Sequence, residues 1–92
     1  MSAAKSDFKR GDVAEAKEKL VALEAREAGW APPARAEYAL YRGLVHHALG
    51  DRDAARRWLE RVDRRVLSED DRARLDLALE AVGGIPSAPA PR

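Results

Sequence analysis

Cysteine, threonine and asparagine are all missing from these 92 residues. Without cysteine there is no disulfide and no thiolate metal ligand. No stretch approaches the roughly 20 apolar residues that a membrane span needs. Met1-Ser2-Ala3-Ala4-Lys5 runs into charged sequence with no apolar signal core, so a cytoplasmic location follows by default. Neither sign of charge prevails. Seventeen basic residues face sixteen acidic ones, for a formal net charge of +1, and that balance argues against electrostatic capture of nucleic acid. Large apolar side chains are also in short supply, since 19 of the 42 hydrophobic residues are alanine. The remainder suffices for a thin helix-on-helix core and not for a large enclosed ligand cavity.

Alanine, leucine, arginine and glutamate dominate, and all favour helix. Val13, Val21, Val45, Val62, Val66, Val82 and Ile85 are scattered singly, with no alternating run that would mark a strand. The expectation is an all-α domain over residues 1–84, followed by a Pro/Ala-rich tail or linker over 85–92. A short helix over 1–10 carries Phe8. Asp12 and Glu15 form a capping pattern for a helix expected over 12–28, striped by Val13, Ala16, Leu20 and Leu23. Gly29 reads as its left-handed end. Pro32-Pro33 then opens a helix with a wide apolar face of Tyr38, Tyr41, Leu44, Val45, Ala48 and Leu49. Gly50 closes it, and Asp51 or Asp53 starts a helix striped by Ala55, Trp58, Leu59, Val62 and Val66. Ser68-Glu69-Asp70-Asp71 opens the last one, which Gly83-Gly84 ends.

A Gly-Asp pair occurs twice, 39 residues apart, at Gly11-Asp12 and Gly50-Asp51. In each copy an alanine follows five residues after the glycine (Ala16, Ala55) and a leucine nine after it (Leu20, Leu59). A shift of 34 further maps Tyr41 onto Leu75, Leu44 onto Ala78 and Gly50 onto Gly84. Such periods mark stacked helical hairpins. The surplus of five residues in the first interval falls around Gly29-Trp30-Ala31-Pro32-Pro33.

On these residues, with Gly43 where two paired helices approach closely, the chain resembles a tetratricopeptide repeat. Arg42 and His46 depart from that pattern, which places leucine and tyrosine there, and no proline stands near Leu67. The resemblance implies a right-handed stack of four to five helices that binds a partner protein or peptide on the concave face of its first helices. Carried over, that face is Glu37, Leu40, Leu44 and His47, with Asp71, Arg74 and Ala78 from the next repeat. The lysine–asparagine clamp with which some members hold a terminal carboxylate is absent, because there is no asparagine.

Other constellations carry less. His46 and His47 are adjacent, whereas metal capture on a helix wants spacings of three or four, so no metal is expected. Serines lie only at 2, 6, 68 and 87, and no Gly-rich phosphate loop is present. Neither catalysis nor a cofactor is expected. Arg52, Arg56, Arg57, Arg61, Arg64 and Arg65 could bind an acidic peptide or phosphates, but Asp53, Glu60 and Asp63 interleave them as on a solvated face. Trp58 belongs on the core stripe. Trp30 reads equally as a staple over a helix end or as an exposed anchor for a partner. The leading expectation is a non-enzymatic module for a protein or peptide partner. Its alternative is a self-associating structural subunit of a larger assembly.

Overall fold

The computed structural model describes residues 1–83, so the expected tail lies outside the described residues. Within them the protein is all-α, with no strand. The elements are α1 (Ser2–Lys9), α2 (Val13–Ala22), α3 (Glu24–Glu27), α4 (Pro32–Ala48), α5 (Arg52–Glu60), a 3₁₀ turn (Arg64–Val66) and α6 (Glu69–Ala81).

Three glycines punctuate the chain. Gly11, Gly50 and Gly83 have φ of 91°, 87° and 73°, and each stands two residues beyond the end of α1, α4 or α6. A side chain there would cost about 1–2 kcal/mol, which glycine avoids. The first two turns close with the same bonds. Gly11 N–H donates to the Phe8 carbonyl and Asp12 N–H to that of Asp7; Gly50 N–H donates to His47 and Asp51 N–H to His46. Both are Schellman ends. Each turn reverses the chain, so α1 packs on α2 and α4 on α5, while α6 packs on α4 and α5.

The shared offsets carry through to the interior. Ala16, Leu20, Ala55 and Leu59 are all within 1% of complete burial. Gly43 meets α5 so closely that a Cβ would lie 2.5 Å from Leu59 Cγ and Cδ2 and 3.2 Å from the Ala55 carbonyl. The core continues through Tyr38, Leu40, Tyr41, Val45, Leu67, Leu75 and Val82.

Three local expectations are corrected. The helix expected over 12–28 breaks at Leu23. The Leu20 carbonyl, which an unbroken helix would give to Glu24 N–H, accepts Tyr38 O–H at 2.6 Å and Leu23 N–H at 3.0 Å. Gly29 is not left-handed; α3 ends through successive tight bonds from Gly29 N–H to Arg26 and from Trp30 N–H to Glu27. Finally, the glycine matching Gly50 at the end of α6 is Gly83, so these two helix ends are 33 residues apart and not 34.

Candidate functional site

Along one flank of the molecule α4 meets both α1 and α6. Pro32 and Pro33 start α4 without wasting amide donors, and its 17 residues give it room to touch both neighbours. From α1, Lys5 forms an ion pair with Glu37 and lies 5.7 Å from the Tyr41 ring centroid. Phe8 packs edge-on against Tyr41, with centroids 5.9 Å apart. The hydrogen bond to Glu37 raises the Lys5 pKa, and burial raises that of Tyr41. From α6, Arg74 donates to the buried Asp71 at 3.1 Å. Between them, Pro33, Ala34, Glu37, Leu67, Ser68 and Asp71 line a cleft of about 340 Å³.

Glu37 and Leu44 are half-buried on this flank, seven residues apart on α4. Arg74 is half-buried on the neighbouring α6. His47 is exposed at the end of α4 and shares a cleft of about 300 Å³ with Gly50, Arg52 and Ala81. Leu40 is a correction, since it is 0% exposed and belongs to the core. Packed within the core cluster, it offers no surface to a partner. Ala78 and Asp71 are likewise buried. Trp30 is placed elsewhere. It packs edge-on to Tyr38, at 5.5 Å between centroids, and is half-buried.

One exposed residue of this flank escaped the sequence reading. Leu77 is 69% exposed, and spacings of three and four put it in line with Arg74 and Ala81. A shift of 34 pairs Leu44 with the buried Ala78. Counted instead from the helix-ending glycines, which are 33 apart, Leu44 falls on Leu77, Tyr41 on Arg74 and Ala48 on Ala81. A single residue of slip rotates the correspondence by about 100°.

The departures at Arg42 and His46 form a polar strut on the opposite side. Arg42 is 7% exposed. It donates to Tyr38 Oη at 3.0 Å, to Glu24 at 3.1 Å and to His46 Nε2, with its guanidinium 4.4 Å from the Trp58 ring centroid. Burial, then the Arg42 charge, lowers the His46 pKa. His46 Nδ1 is buried without a hydrogen-bond partner. Most of the arginine run is occupied. Arg56 pairs with Glu60, Arg61 with Glu27, Arg64 with Asp76 and Arg65 with Asp63, which matches a solvated face better than an open basic surface.

Among the described residues, no group of three or more His, Cys, Asp or Glu side chains is placed to hold a metal ion. No described helix is long and apolar enough to cross a membrane. Comparison with protein-family models, with curated proteins and with solved structures finds no match.

Proposed function

We propose that this protein is a non-enzymatic interaction module of tetratricopeptide type, binding a peptide or helix of a partner protein along the α1–α4–α6 flank. The observation that carries the reading is Leu77, 69% exposed, which falls on Leu44 when the two helices are counted back from Gly50 and Gly83. Apolar side chains of the partner would cover Leu44 and Leu77. Full burial of one such leucine is worth about 1.5–3 kcal/mol. The Lys5–Glu37 and Arg74–Asp71 pairs stand around them as a polar rim, which selects partners more than it adds affinity. An apolar stripe between charged edges suits a helix laid into a groove. A cytoplasmic setting, free of cysteine chemistry, belongs to the same proposal.

Selection of peptides from a displayed random library tests this. Peptides enriched on the wild type should fail to bind a folded Leu44→Glu/Leu77→Glu variant. Equal binding to both proteins would refute the assignment of this flank.

Self-association is the second reading, favoured by the same exposed leucine together with Leu49, 47% exposed. Light scattering separates the two. A monomer across micromolar concentrations supports the partner-binding module, and a dimer dissociated by Leu77→Glu supports assembly.

A further inference from the structure

The opposite flank of α4 holds two guanidiniums fixed by one carboxylate. Glu27 ends α3, and its side chain is only 9% exposed. Its Oε2 accepts from Arg35 Nε at 3.1 Å and its Oε1 from Arg61 Nη2 at 3.5 Å. Arg35 stands in the first turn of α4 and Arg61 just past α5, and each side chain is about half exposed, at 48% and 49%. Together they edge a cleft of about 250 Å³ lined also by Glu27, Pro32, Ala36, Ala39 and Asp63.

Both arginines have donors to spare. A guanidinium carries five N–H bonds, and Glu27 engages one nitrogen of each. Arg61 also lies over Trp58, 4.3 Å from the ring centroid. Stacking uses the face of the guanidinium and leaves its in-plane fork free for an oxyanion. The remaining carboxylate at the rim, Asp63, is committed elsewhere, accepting from Arg65 Nε, Nη2 and backbone N–H at 3.0–3.1 Å. The two arginines and their anchor therefore carry a net charge of +1.

We infer that this cleft is a carboxylate-binding site, taking an aspartate or glutamate side chain, or a chain end, from a peptide partner. A monoanion brings the arginine pair and Glu27 to neutrality. A phosphate dianion would leave excess negative charge beside a carboxylate that is nine-tenths buried, which is costly. The alanines of the lining, Ala36 and Ala39, offer apolar surface to the methylene groups that carry the carboxylate. This site lies apart from the leucine flank and does not depend on it.

The test reads the arginine Nε–Hε signals of the full chain in a ¹H–¹⁵N spectrum during titration with acetate. Sodium chloride at matched ionic strength is the control. The Arg35 and Arg61 signals should move saturably with acetate and not with chloride. Arg35→Lys/Arg61→Lys keeps two cations for Glu27, so the fold is retained, but removes the planar forks. Affinity should then fall about tenfold, read for the variant from amide shifts around Ala36 and Ala39. Two short peptides distinguish the sources, one with a single glutamate and an amidated end, the other with glutamine and a free carboxylate; binding of either supports the site. Acetate shifts no larger than those with chloride, unchanged affinity in the lysine variant, or tighter binding of phosphate than of acetate would each overturn it.

Discussion

Gly43 shows how much a single missing side chain sets. With the Leu59 side chain and the Ala55 carbonyl standing where its Cβ would go, alanine there must displace Leu59 or part α4 from α5. Overpacking of this kind costs about 1–3 kcal/mol, more than the roughly 1 kcal/mol that alanine gains in helix propensity. Gly43→Ala is expected to lower stability, measured as a lower urea midpoint. His46 sets a pH dependence. Burial and Arg42 hold its folded pKa below the ordinary 6.5, and Asp51, Lys17 and Arg57 complete the charges that act on it, Asp51 opposing the shift. Its neutral form accepts from Arg42. The unfolded chain therefore takes up the proton first as pH falls. Stability is fully present above the unfolded value and is lost as pH drops through the lower folded one. Urea midpoints at about pH 7.5 and about pH 5 should diverge in the wild type and less so in His46→Gln. The close contact at Gly43 was legible in the sequence through the resemblance to a tetratricopeptide repeat. The roles of Arg42 and His46 were not, because Glu24 and Trp58 reach Arg42 only through the fold.

Elements tell a similar story about what a pattern can reveal. The two Gly-Asp turns were readable because a left-handed residue all but demands glycine, and both adopt the same bonding. The caps diverge, however. Asp51 accepts from Ala54 N–H at 3.1 Å, as a cap should. Asp12 makes no such bond and turns towards Arg10 at 3.4 Å. Asp51→Ala is therefore expected to cost about 1 kcal/mol. Asp12→Ala should cost less than about 0.5 kcal/mol, because it loses only an exposed ion pair. Chemical denaturation of the two variants side by side checks the contrast. The break at Leu23 was invisible to a stripe analysis, since Val13, Ala16, Leu20 and Leu23 keep helical spacing across it. What interrupts the helix is the Tyr38 hydroxyl on the Leu20 carbonyl, a contact between residues 18 apart.

At the scale of the whole molecule, the all-α fold and the pairing of helices were written in composition and in the repeated offsets. The proposed binding flank was only half legible. Glu37, Leu44 and Arg74 lie along it, whereas Leu40 is core and the exposed leucine is Leu77 of α6. The error is physical, because a helix presents a different residue to solvent for every step of register. Leu40→Ala should accordingly behave as a core truncation and cost about 2–5 kcal/mol in a denaturant melt. Leu77→Glu should leave the melt nearly unchanged, as surface substitutions do. The proposed function requires α1, α4 and α6 to form one partner-binding surface. Mapping amide shifts on addition of a selected peptide tests it most directly. The largest shifts are expected around Phe8, Glu37, Leu44 and Leu77. Shifts confined to α2 and α5, with Leu44 and Leu77 unmoved, would contradict it.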